Sequence, residues 1–99
     1  MKLVREFFLG FIKLHILHHA AQEPVCGVSL VQELGRHGYE IGPGTLYPTL
    51  HALERAGYLA RQDRTVDGRR RKYYVATESG RAALETGKVQ ARELTKEIL

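Results

Sequence analysis

Residues 44–76 read GTLYPTLHALERAGYLARQDRTVDGRRRKYYVA, and the fold turns on where the period of this stretch changes. Up to Ala56 the apolar residues keep helical spacing. At about 100° per residue, Leu46, Leu50, Leu53 and Gly57 fall on one side, which faces a core. From Tyr58 onward the pattern is extended. Tyr58 to Val66 reads as a strand, Asp67-Gly68 as a two-residue hairpin turn, and Arg71 to Ala76 as the returning strand. A helix followed directly by a hairpin is the centre from which the rest of the chain is read.

Upstream, Gly42-Pro43-Gly44 is a turn that opens this third helix near Pro43 or Gly44. Pro48 lies inside it. An interior proline deletes a hydrogen bond and costs about 3 kcal/mol, so a late-starting or bent helix is expected. Before the turn, Ser29 is placed to cap a second helix from Leu30 to about His37, stopped by Gly38 and burying Leu30, Val31 and Leu34. Leu3 to about Ala21 is a first helix, broken at Glu23-Pro24. Its apolar residues, from Leu3 and Phe7 through Phe11 to Leu17, spread wider than the single stripe a helix of a small monomer buries. The surplus points to contact with another chain.

Downstream, Thr77 followed by Glu78 marks the start of a last helix that runs to near Leu99. Along it Leu84, Gly87, Ala91, Leu94 and Ile98 recur at spacings of three and four, a short seam for a partner helix. Gly87 and Ala91 are small enough to let that helix come close. The expected fold is mainly α with a β-hairpin (α+β): a winged helix-turn-helix domain over residues 1–77 and a C-terminal dimerisation helix over residues 78–99. The dimerisation candidates are Phe7, Phe11, Leu84, Ala91, Leu94 and Ile98.

A chain of 99 residues allows one domain. Its 15 Lys and Arg against 11 Asp and Glu give a net charge of +4. All of that excess sits in Arg61–Lys72, which holds Arg61, Arg64, Arg69, Arg70, Arg71 and Lys72 against Asp63 and Asp67. A positive charge spread evenly suggests only solubility. One gathered on a hairpin suggests a polyanion. The outward side of the third helix presents Gly44, Pro48, His51 and Arg55, flanked by Thr45 and Tyr47, with no acid in its amino-terminal half. Such a face enters a major groove without repelling phosphates, and threonine can bond base edges or phosphate oxygens. The DNA-binding candidates are therefore Thr45, Tyr47, Pro48, Thr49 and His51 on the helix, with Arg69, Arg70, Arg71 and Lys72 on the wing. Each basic contact would add salt dependence through counterion release.

The run Gly44-Thr45-Leu46-Tyr47-Pro48-Thr49-Leu50, then Leu53-Glu54-Arg55-Ala56-Gly57-Tyr58-Leu59, then Tyr73-Tyr74 before Thr77-Glu78-Ser79-Gly80, resembles the PadR family of bacterial transcriptional regulators. The resemblance implies a winged-helix DNA-binding domain, a homodimer, and repression of a neighbouring operon relieved by an effector. By position it makes Leu46–Ala56 the recognition helix and Asp67–Arg71 the wing. Two departures stand out. Cys26-Gly27-Val28 occupies a place where the family often has His-Gly-Tyr. Only about 20 residues follow the wing, as in the short subfamily that dimerises through one C-terminal helix. The chain has no Trp, so an effector pocket of stacked indoles is excluded. A two-fold dimer would set two recognition helices one DNA turn, about 34 Å, apart on an inverted-repeat operator.

Three other readings compete. His15 and His19 are one helical turn apart, with His18 beside them, Glu23 at the next i+4 position and Cys26 close behind, so a metal-responsive repressor using His15, His18 and His19 is one. Against it, Glu23 precedes Pro24, where helical geometry fails. Cys26 as a redox switch is weaker, because a lone thiol needs a partner from another molecule. A winged-helix module that binds protein rather than specific DNA is the third. Catalysis finds no support: there is no phosphate loop, carboxylate pair or metalloprotease pattern. No cofactor is expected, no metal centre is assigned in the leading reading, and the effector is a small molecule or a metal ion. The amino terminus is too short in its apolar run for a membrane span and fits no signal peptide, so a cytoplasmic protein is expected.

Overall fold

In a computed structural model, which describes residues 2–99, the chain forms α1 (Leu3–Gln22), α2 (Gly27–Arg36), α3 (Pro43–Arg55), β1 (Leu59–Val66), β2 (Arg69–Ala76) and α4 (Glu78–Ile98). This is the α+β order expected: three helices, an antiparallel hairpin and a closing helix. The core gathers Ile12, Ile16 and Leu17 of α1, Leu30 and Leu34 of α2, Leu46 and Leu50 of α3, and Leu59 and Tyr74 of the hairpin.

The hairpin pairs Leu59 with Ala76 through to Val66 with Arg69, leaving Asp67 and Gly68 as the turn. Both turn residues have positive φ, 51° and 76°, the signature of the turn whose twist matches the strands it joins. The second strand starts at Arg69, two residues before the expected Arg71. A two-residue turn leaves no loop, so Arg69 and Arg70 are already paired. Burial alternates only at the base, where Tyr74 and Ala76 are buried. The tip, including Arg69 to Lys72, stands in solvent.

A further rung fixes the hairpin to the helices. Val25 pairs antiparallel with Tyr74, exchanging backbone bonds of 3.0 and 2.7 Å. The chain then enters α2 two residues later. This overturns the expected start of α2: Cys26, not Ser29, is the N-cap, and Ser29 occupies the third position. There its hydroxyl accepts from the Cys26 N–H at 3.2 Å. Serine three residues into a helix can satisfy the amide behind it as well as one ahead, which makes the two placements look alike in sequence. Val31, expected inside, is 38% exposed.

At its far end α2 closes with the Tyr39 N–H bonded to the Leu34 carbonyl and the Gly38 N–H to Gly35, with Gly38 at φ 87°. This left-handed closure, which glycine adopts without strain, leaves His37 as the helix cap. α3 starts at Pro43, so the expected late start does not occur. Pro48 lies well inside it. The carbonyl that Pro48 leaves unpaired belongs to Gly44, and both residues are exposed to water. The cost of about 3 kcal/mol is offset by burial of Leu46, Leu50 and Leu53 beneath, each contributing about 1.5–3 kcal/mol. Gly57 lies past the end of α3 and is exposed, not on its core side.

α4 begins on Thr77, whose hydroxyl oxygen accepts from the Gly80 N–H at 3.1 Å and donates to the Gly57 carbonyl at 2.6 Å. Its first half packs on α1. Leu84 is buried in this chain's own core, and a side chain at Gly87 would collide with Leu14. The close helix that Gly87 admits is therefore α1 of the same chain, and Leu84 has little surface left for a partner. The second half of α4 extends beyond the core, with Leu94 47% and Ile98 64% exposed.

Candidate nucleic-acid interface

Three elements converge on one groove. Cys26, Gly27 and Val28 at the start of α2, Tyr47 of α3, and Arg70, Arg71 and Lys72 of β2 line a cavity of about 380 Å³. The wing cations and the exposed part of α3 thus lie on the same side of the molecule. The Val25–Tyr74 rung explains why: it holds β2 against the entrance of α2, while α2 and α3 pack through Leu30, Leu34, Leu46 and Leu50.

Tyr47 is held by a close approach. A Cβ at Gly27 would lie 2.5 Å from its phenolic oxygen and 2.9 Å from Cζ, so only glycine lets the ring rest against α2. The ring still leaves 39% of the residue exposed. Tyr47 therefore both packs on the neighbouring helix and offers its edge to the groove. Pro48 is exposed, and Thr45 and His51 are half-buried. Thr49 departs from expectation. It is 8% exposed and its hydroxyl donates to the Thr45 carbonyl at 2.8 Å, so it has nothing to give a ligand. Along the helix it lies about 60° from Leu46, within the buried arc.

On the wing, Asp63 pairs with Arg61 at 3.3 Å and reaches Arg70 at 3.8 Å. Among the described residues no carboxylate lies within ion-pair distance of Arg69, Arg71 or Lys72. Arg70 is 82% exposed, so its pair is largely screened by water. Arg64 lies over the Tyr73 ring at 5.2 Å, which places a further cation on the hairpin.

The contribution of α2 to this groove was not legible in sequence. Its N-terminus brings amide groups and the positive end of its dipole beside Arg71. Cys26 registers that field. Burial pushes its thiol up, but bonds from Ser29 and from the Val28 amide, together with Arg71, outweigh this and bring the thiol below its ordinary range.

Apolar side chains stand exposed elsewhere, on α1 and α4. Phe7 is 54% and Phe11 44% exposed on α1, alongside Leu94 and Ile98 on α4, while Ala91 is half-buried. A groove of about 580 Å³ runs between the two helices, with Phe7, Phe11, Leu14 and Ala83 along it. Farther along α1, His15 and His19 meet His37 from the end of α2. The grouping differs from the expected His15, His18 and His19: His18 is exposed and lies 3.4 Å from the Gln22 amide. Glu23 is extended at φ −161° and takes no part, as its place before Pro24 requires. Burial, and then the neighbouring imidazoles, hold His15 below the usual histidine range. Burial does the same for His19, with His18 adding to it and Glu33 opposing it. Among the described residues no helix is long and apolar enough to cross a membrane.

Known proteins share this architecture and sequence. Residues 16–86 match the transcriptional regulator PadR-like family. The chain is 54% identical over 96 residues to transcriptional regulator Rv3488 of Mycobacterium tuberculosis, covering 97% of this chain and 90% of that protein. A PadR family transcriptional regulator from Eggerthella lenta superposes with a TM-score of 0.79 at 33% identity, over 97% of this chain and 81% of the other. A PadR-like transcription factor from Bacteroides fragilis shares the fold at a TM-score of 0.84 and 24% identity, over 99% and 96% of the two chains. With the family's match covering most of its length, this chain belongs to the PadR-like family of DNA-binding transcriptional regulators.

Proposed function

We propose that the chain is a homodimeric repressor that holds an inverted-repeat operator and is released from it by an effector. α3 enters the major groove with Thr45, Tyr47, Pro48 and His51, while Arg69, Arg70, Arg71 and Lys72 grip backbone or minor groove beside it. The observation that carries this reading is the shared groove of Tyr47, the α2 entrance and the wing cations. A cationic surface divided between two faces would bind polyanions without register. One that joins a helix to a wing fixes orientation on a duplex.

The second copy docks on α1 and the outer half of α4, where Phe7, Phe11, Leu94 and Ile98 are exposed together with Leu3 and Val4. A monomer gains nothing from such a surface, and a dimer covers it. No surface feature favours a protein ligand over DNA in the α3–wing groove, since its charge is of one sign.

Fluorescence anisotropy with the DNA upstream of the chain's own gene tests the reading. Wild type should bind tightly and with steep salt dependence. The variant R69A/R70A/R71A should lose that binding while sedimenting as a dimer. Unchanged affinity in the variant would move the function to protein interaction, and a folded monomer at micromolar concentration would remove the dimer.

A further inference from the structure

The end of α1 and the end of α2 bring two i, i+4 pairs face to face. His15 and His19 are one turn apart on α1, and Glu33 and His37 are one turn apart on α2 and its cap. We propose that His15, His19 and His37 bind one divalent transition-metal ion of the zinc type, with Glu33 supplying the fourth ligand. The site lies away from the DNA groove, and its existence does not depend on how that groove is used.

Each of the three histidines brings a ring nitrogen within 4.8 Å of the other two. Tetrahedral zinc with nitrogen ligands at 2.0–2.1 Å requires nitrogens about 3.3 Å apart. Rotation of the side chains closes the difference, because His37 is exposed at a helix end and has room to turn. His15 and His37 already stand with ring centroids 4.8 Å apart.

Two further observations point to a ligand. The Nε2 atom of His19 is buried and has no hydrogen-bond partner among the described residues. Leaving such an atom unpaired costs about 1–3 kcal/mol. A bound cation would take up that lone pair. Oε1 of Glu33 lies 4.0 Å from this nitrogen, too far for a hydrogen bond, and a small rotation of the carboxylate would bring it to the spacing of two ligands on one ion. The other oxygen of Glu33, Oε2, accepts from Arg36 at 3.0 Å. The carboxylate is thus oriented by one oxygen and has the other on the side of His19, the arrangement by which neighbouring groups commonly aim a ligand.

The chemistry of the donors selects the ion. Three imidazoles and one carboxylate suit Zn²⁺, Co²⁺ or Ni²⁺, whereas Mg²⁺ and Ca²⁺ take oxygen ligands. An ion can reach the site, because His15, His19 and His37 border an open cavity of about 350 Å³ between α1 and α4. The alternative is a plain aromatic cluster, since His15 also meets Tyr39 edge-on at 5.2 Å.

The experiment uses full-length protein stripped with EDTA, titrated with zinc by calorimetry and with cobalt by visible absorption. We expect one ion per chain, the strong visible bands of tetrahedral cobalt, and a melting temperature that rises with free zinc. H37A should weaken zinc binding at least 10-fold and abolish the tetrahedral cobalt bands, E33Q should weaken it about 10-fold, and H18A should leave both unchanged. H37A alters an exposed cap and keeps the fold testable even where H19A does not. Absence of saturable binding in wild type, wild-type affinity in H37A, or a loss in H18A equal to that in H37A would each overturn the site.

Discussion

The wing carries Arg69, Arg70, Arg71 and Lys72 out into water, whereas the outer faces of α1 and α4 leave Phe7, Phe11, Leu94 and Ile98 there. Both surfaces are unpaired within one chain, but the forces available to them differ. In the proposed complex the wing would act through charge, so its binding would weaken with salt and be indifferent to the exact shape of the partner beyond phosphate spacing. In the proposed dimer the apolar faces would act through area removed from water, so their binding would be largely insensitive to salt and demand close fit. On this proposal a 99-residue domain carries two partners without either competing for the other's surface. The dividing line runs between the hairpin and the far end of the helices.

The sharpest break falls on the apolar side. L94D/I98D places four carboxylates in a two-fold interface. Each of the leucine and isoleucine side chains removed contributes about 1.5–3 kcal/mol when buried. The dimer should weaken by about 1,000-fold or more, with the monomer's helical signal retained. Analytical ultracentrifugation across a concentration series checks this. On the wing, R69A/R70A/R71A should lower operator affinity on the order of 100-fold at moderate salt. It should also flatten the salt slope by about 0.9 for each phosphate that is no longer neutralised. If high salt instead dissolved the dimer and spared DNA binding, the division of forces between the two surfaces would be reversed.

Smaller effects would locate the edge of the proposed DNA groove. Cys26 has a thiol held below its ordinary range, so alkylation should reach half its maximal rate below pH 9.0, and R71A should move that midpoint upward. Operator DNA should slow the labelling about 10-fold, because the thiol shares the groove with Arg71 and Tyr47. G27A should displace the Tyr47 ring and reduce DNA affinity several-fold, with little change in melting temperature. T49V should cost about 1 kcal/mol or less of stability through its missing hydrogen bond, and should leave DNA affinity within about two-fold.

The contrast between local and distant information explains what the sequence makes legible. Asp67-Gly68 set the hairpin, Gly42-Pro43 the start of α3 and Thr77 the start of α4, because each acts on its own neighbours. Sequence misleads where a residue's role depends on another element. Polarity groups Thr49 with Thr45, although its angle on the helix lies beside the leucines. Leu84 and Gly87 fit a seam for a partner, but α1 of the same chain fills it. His37 is 22 positions from His15 in sequence, and only the packing of α2 on α1 brings the two together. Gly27 has no special role in the sequence by itself; the Tyr47 ring resting on it supplies one.

The single backbone rung between Val25 and Tyr74 has a mechanical consequence. Through it the wing and the helix-turn-helix become the two jaws of a caliper whose opening is set during folding. On the proposed mode of binding, such a gauge would measure the distance between adjacent grooves as well as the letters within one. Sequences whose natural helical dimensions fit that opening would be gripped without distortion, and stiffer or wider ones would have to be bent to enter it.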